Sequence, residues 1–190
     1  MAMRGGSLAS DYPVYWERQG QDKLCAIHTL NTLLQQPVFS EIELAQIAQR
    51  LDREEASLLG TSRGSSSHNV DADGNFSLPV MEGALNTRNW CLVNLDKPEI
   101  RHAVLGNPQR ETAYVCNSHR RAHWYTIRKV HSKWYCIFGF SSIKFVPSRM
   151  LLIIISITNI VFGGGFLTWN CSSDSFPIHK QISKTFVNAT

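Results

Sequence analysis

The sequence predicts an α+β domain, with helices in the first half and antiparallel strands in the second. Apolar residues recur at helical spacing as far as Leu85, and from Trp90 the period changes to two in segments rich in β-branched and aromatic residues. A length of 190 residues with 43% hydrophobic content suits one domain with a real core, not two.

Residues 1–11 are small and polar and read as disordered, with order starting near Tyr12. From Cys25, the side chains of Ile27, Leu30, Leu33 and Leu34 share one helical face until Gln35-Gln36-Pro37, where proline blocks continuation. Ser40 followed by Glu43 is a capping box, and Leu44, Ile47, Ala48 and Leu51 then mark a second helix over about Glu41 to Glu55. Gly60 to Asn69 lacks large apolar residues and reads as a mobile loop; a third helix is expected over Leu78 to Leu85. Strands are expected over Trp90–Leu95, Thr112–Cys116, His123–Val130 and Trp134–Phe140, the last two joined by a tight turn at His131-Ser132-Lys133. Helices first and antiparallel strands second define the α+β class.

Beyond Phe140 the character changes. Met150 to Trp169 carries no charge and is long enough for a membrane span, but Ser156, Thr158, Asn159 and Gly163-Gly164-Gly165 weaken a helix, and its β-branched residues favour buried strands over insertion. The expected organisation is a disordered 1–11, a domain over 12–140 and an apolar tail over 141–190.

Composition narrows the function classes. A formal charge of +4 without a long basic run argues against nucleic acid as a partner. Five cysteines, odd in number and widely spaced, exclude a disulfide framework, and no Cys/His cluster has zinc-ligand spacing, so no metal or cofactor is expected. The first residues contain no apolar stretch of the sort a secretory signal needs, so a reducing compartment is expected, and the N-x-[ST] strings at Asn75, Asn170 and Asn188 read as chance matches.

The chemistry centres on two strings far apart in the chain, Leu24-Cys25-Ala26-Ile27-His28 and Ala122-His123-Trp124-Tyr125-Thr126. A cysteine at a helix start and a distant histidine opening a strand is a common layout for a thiol nucleophile and its base. At that position the helix dipole and unpaired amides are expected to lower the thiol pKa, whereas Cys91, Cys116 and Cys136 fall inside apolar strands and read as inert. His28 lies on the same helix as Cys25 and reads as structural; His123, preceded by Arg120-Arg121, is the better base. Gln19 and Gln21 both lie within reach as oxyanion donors.

Five dispersed strings in one order resemble the Josephin domain of the ataxin-3 family. They are Tyr15-Trp16-Glu17-Arg18-Gln19, Leu24 to Asn31, Phe39-Ser40-Glu41 with Leu44 to Asp52, Asp73-Gly74-Asn75-Phe76-Ser77, and His123 to Lys129, within residues 15 to 136. The resemblance implies a papain-like fold and a thiol-dependent ubiquitin hydrolase needing no cofactor. It would be monomeric, act on ubiquitin and polyubiquitin chains, and reside in nucleus and cytoplasm. It makes Cys25 the nucleophile, His123 the base and Gln19 the oxyanion donor, with Gln21 the alternative because Gln19 is one step further from Cys25 than the family spacing. It implies a ubiquitin contact at Leu78, where the family's following glutamine and later tryptophan are replaced by Pro79 and Arg88.

One departure bears on catalysis. The family's histidine-orienting asparagine aligns with Phe138, whose side chain cannot accept a hydrogen bond from an imidazole N–H. Loss of that acceptor costs roughly 10²- to 10⁴-fold in rate by analogy with other triads. The likeness also fades after about Tyr135 to Phe140, so the domain is expected to be truncated there. The leading expectation is thus a Josephin-type hydrolase with impaired catalysis. The alternatives are an inactive ubiquitin-binding or non-functional truncated product and, from Met150 to Trp169 alone, a small membrane-anchored protein.

Overall fold

A computed structural model describes residues 14–20, 22–60, 67–71, 74–118, 121–139, 143–147, 150–151 and the backbone of 165–170. Helices α1 (Cys25–Leu34), α2 (Glu41–Leu59) and α3 (Leu78–Asn86) precede strand β1 (Trp90–Asn94); α4 (Pro98–Gly106) and a 3₁₀ turn (Pro108–Arg110) lead into β2 (Ala113–Ser118), β3 (His123–Val130), β4 (Lys133–Ile137), β5 (Ile143–Val146) and β6 (Gly165–Asn170). The disordered start expected over 1–11, and most of the loop expected over Gly60 to Asn69, lie outside the described residues.

Local sequence explains the first helices. Leu30 and Leu33 of α1 are fully buried with Ala26 and Ile27, and the chain leaves the helix through Gln35 in the left-handed region at φ 59°. The Ser40 hydroxyl accepts from the Glu43 amide, and the Glu43 carboxylate accepts from the Ser40 amide, which is the expected box. α2 runs past the expected Glu55 to Leu59. Leu58 and Leu59 are exposed, so no apolar repeat marks this last turn, and a left-handed Gly60 stops it. α4 was not foreseen: Pro98 at its first turn and the buried pair Ile100 and Val104 at i, i+4 are its signal, brief enough to pass for loop.

The sheet has strand order β1-β6-β2-β3-β4-β5, with every pairing antiparallel. His131 and Ser132, both at positive φ, turn β3 into β4 in a two-residue hairpin that pairs Val130 with Lys133. Alternate residues of β2 feed two cores. Ala113 and Val115 join α1, α2 and α3 on one face; Tyr114 and Cys116 join Ile100, Val104, Tyr125, Ile127, Trp134 and Leu151 on the other.

The sheet continues past Phe140, where the sequence led one to expect the domain to end. β5 pairs with β4 from Trp134↔Val146 to Ile137↔Ile143, and β6 inserts between β1 and β2. Uncharged sequence suits a strand with a neighbour on each side. Residues 152–164 lie outside the described residues, among which no helix is long and apolar enough to cross a membrane.

Candidate active site

The N-terminal segment reaches the cleft because side chains of α1 hold it there. Gln35 accepts from the Tyr15 amide and donates to the Tyr15 carbonyl, giving that residue the two bonds a neighbouring strand would supply. Asn31, 2% exposed, donates to Glu17 and to the Phe39 carbonyl and accepts from the amides of Val38 and Phe39 at 2.9 and 2.7 Å. One amide side chain thus ties three segments together.

Cys25 is the first residue of α1. Leu24 occupies the N-cap, where a side chain with an acceptor would ordinarily take a first-turn amide; leucine has none, so those donors stay available. The amides of Cys25 and Ala26, with that of Trp124 from β3, donate toward the Cys25 thiol. They do not win. Burial pushes the thiol above its ordinary value, Asp22 adds to the rise, and the amides offset only part of it. The net shift is thus opposite to the lowering expected at a helix start: at 3% exposure, desolvation of a thiolate outweighs the amide donors around it. Burial raises Cys136 up to about 12 and Cys116 further still, so those two are less ionisable again.

His123 opens β3 directly after Ala122, which has φ 46°. It lines one cleft with Gln19, Cys25, His28, Trp124 and Phe138. Its Nε2 lies 2.7 Å from the Phe138 carbonyl oxygen. A carbonyl can only accept, so Nε2 carries the proton and, in the neutral ring, Nδ1 is the basic nitrogen. Burial draws the His123 pKa down, the Phe138 carbonyl partly opposes this, and the positive charge of Arg121 and of His28 reinforces it. Thiol and imidazole are therefore both neutral at rest. The phenylalanine side chain at 138 offers the imidazole no acceptor, but the main-chain carbonyl of the same residue does.

Gln19 is 6% exposed, and its amide donates to the Gly139 carbonyl at 2.8 Å. Its Nε2 carries two N–H groups, one of which donates to the Asp22 carbonyl at 2.9 Å; Oε1 is buried with no partner among the described residues. A buried acceptor without a donor costs on the order of 1–3 kcal/mol, a cost that recurs at functional sites. Gln21 lies outside the described residues.

His28 borders the same cleft, yet both ring nitrogens are engaged, Nδ1 with Glu17 at 2.7 Å and Nε2 with Asp22 at 3.3 Å. Burial alone would lower its pKa; the Glu17 acceptor and charge, with Asp22, more than reverse that, and the net shift is upward. Burial likewise acts to raise Glu17, but bonds from His28, Tyr15 and Asn31 bring it down. A raised histidine stabilises the fold fully below its unfolded value near 6.5, and that contribution disappears as pH rises through the folded value. The Tm deficit of His28→Gln relative to the native chain is accordingly expected to be largest below pH 6.5 and to shrink steadily toward pH 9. Thermal melts across that range check it, and a deficit that grows with pH sinks the idea.

Leu78 begins α3 and is half-buried against the helical core; Pro79 is exposed. Arg88 is engaged within its own chain, 3.4 Å from Glu43 and 5.5 Å above the Phe39 ring. Sequence reasoning missed Thr29, Thr32, Ile137 and Gly139 as cleft residues. Of these only Gly139, a glycine between Phe138 and Phe140, left a signal, that of a turn.

The Josephin family model matches residues 20–149. The chain belongs to the Josephin family. The ataxin-3 homolog of Arabidopsis thaliana is 34% identical over 148 residues, covering 72% of this chain and 50% of its own length. That of Caenorhabditis briggsae is 36% identical over 146 residues, covering 74% and 44%. Ataxin-3 of Homo sapiens is 33% identical over 132 residues, covering 64% and 36%. This Josephin chain thus spans about half the length, or less, of the curated relatives it matches. The α+β fold of helices packed on an antiparallel sheet is that of the Josephin family, and the family match extends past Phe140 through β5.

Proposed function

We propose that this Josephin chain is a thiol-dependent ubiquitin hydrolase that cleaves isopeptide bonds at the ubiquitin C-terminus, in single conjugates and in polyubiquitin. The observation that carries the reading is the meeting of Cys25 and His123 in one cleft, with the amide of Trp124 donating to the thiol. The His123 Nδ1 takes the proton of Cys25 as Sγ attacks the carbonyl carbon of the isopeptide. The oxyanion that forms is met by the main-chain N–H of Cys25, at the uncapped start of α1, and by Gln19 Nε2. His123 then returns the proton to the departing lysine amine, leaving ubiquitin as a thioester on Cys25. Water, deprotonated by the same nitrogen, hydrolyses the thioester, releasing the ubiquitin carboxylate and the thiol.

Ubiquitin carrying a C-terminal electrophile tests the reading. A covalent adduct that Cys25→Ala abolishes is expected. Absence of an adduct despite measurable ubiquitin binding refutes hydrolysis and leaves a binding module.

A further inference from the structure

We propose that the main chain at Phe138-Gly139 is the positioning element for His123, its carbonyl doing what a side-chain acceptor does elsewhere. The inference rests on the reading of His123 as the base, and it reverses the consequence drawn from the residue type at 138. A phenylalanine there removes a side-chain acceptor and leaves the carbonyl of the peptide bond intact. That oxygen sits 2.7 Å from Nε2, a full-strength hydrogen bond.

A carbonyl orients an imidazole only if it is itself held, and three observations show that it is. The Phe138 ring stacks on Tyr125 with centroids 4.5 Å apart and planes 19° from parallel, and Tyr125 is a buried residue of β3, two places beyond His123. The next residue, Gly139, has φ 80°, a left-handed conformation that residues with a Cβ adopt only at a cost. The Gly139 carbonyl accepts the Gln19 amide at 2.8 Å. The peptide is thus held by a ring stack on one side and a main-chain bond to the N-terminal segment on the other, immediately after Ile137 pairs in the sheet. The same two residues link His123 to Gln19, so one turn sets the position of both the base and the proposed oxyanion donor.

The sequence requirement therefore moves from an amide side chain at 138 to a glycine at 139. A Cβ at Gly139 would meet Gln19 at 3.6 Å, ordinary contact, so alanine there acts through φ and not through a clash. Relaxing φ turns the preceding carbonyl away from Nε2, and a misplacement of about 1 Å in such a group costs about 10²-fold in rate.

Two measurements need no ubiquitin. Nitrogen-15 correlation spectra of the imidazole in the native full chain are expected to show His123 as the Nε2–H tautomer. Alkylation of Cys25 by iodoacetamide is expected to slow about 10²-fold in Gly139→Ala, with loss of that single tautomer, and to slow by a smaller factor in Phe138→Leu, which keeps the carbonyl but loses the stack on Tyr125. A native Nδ1–H tautomer overturns the proposal whether or not the variants fold, and so does a folded Gly139→Ala that alkylates at the native rate. If the tautomer and the variants behave as expected while the ubiquitin electrophile gives no adduct, the positioning role stands and the substrate reading fails.

Discussion

His123→Ala is expected to lower both isopeptide hydrolysis and alkylation of Cys25 by a small electrophile, each by about 10³-fold, with the fold intact. The size follows from the resting state. Burial holds the Cys25 thiol above its ordinary value, so at neutral pH the protonated thiol predominates and attack depends on a base that removes the proton. Where a thiolate is preformed, a small electrophile still reacts quickly after the histidine is lost; here it should not. Rates with iodoacetamide and with a ubiquitin conjugate, measured side by side for native chain and variant, check this. Alkylation that survives the substitution within threefold would show that the amides of Cys25, Ala26 and Trp124 suffice to ionise the thiol. The neutral base has room for the task, because burial and the charges of Arg121 and His28 keep His123 unprotonated at neutral pH.

Asn31→Ala is expected to destabilise the fold by about 3 kcal/mol. The side chain is buried on all sides, and its removal strands the Phe39 amide and carbonyl in the core and releases Glu17 from one of its partners. For a chain of this length the loss corresponds to roughly 6–12 °C in Tm. Leucine at the same site should do no better, since it fills volume without restoring a donor or acceptor. Urea titrations of the three proteins give the comparison, and a change below about 1 kcal/mol for Asn31→Ala would show that water replaces the amide. Loss of Asn31 also loosens the segment that carries Gln19, so part of any rate defect in this variant belongs to the site and not to stability.

Much of the first half of the fold was legible because its signals are local. The capping box at Ser40 and Glu43, the proline after Gln36 and the apolar stripe of α1 act within one or two turns of chain. β3 was legible from its alternation, and the exchange of partners across His131 and Ser132 from its shortness. α4 was not, because its two buried residues need the far face of the sheet to mark them as a helix stripe. The strand order was not either. That β6 lies between β1 and β2 depends on pairings across about fifty residues of sequence or more, for which periodicity offers no register.

For the proposed site, the sequence by itself singled out one thiol and one imidazole as candidates, since a cysteine at a helix start and a histidine at a strand start are identifiable by residue type and position, and both line one cleft. Only the tertiary structure decided their protonation and their third partner. Protonation follows burial, and burial is the sum of contacts from α1, β3 and the N-terminal segment. The third partner is the Phe138 carbonyl, and every residue in the chain owns such a group. A main-chain acceptor has no letter in the sequence; it becomes part of a site only where the fold delivers it.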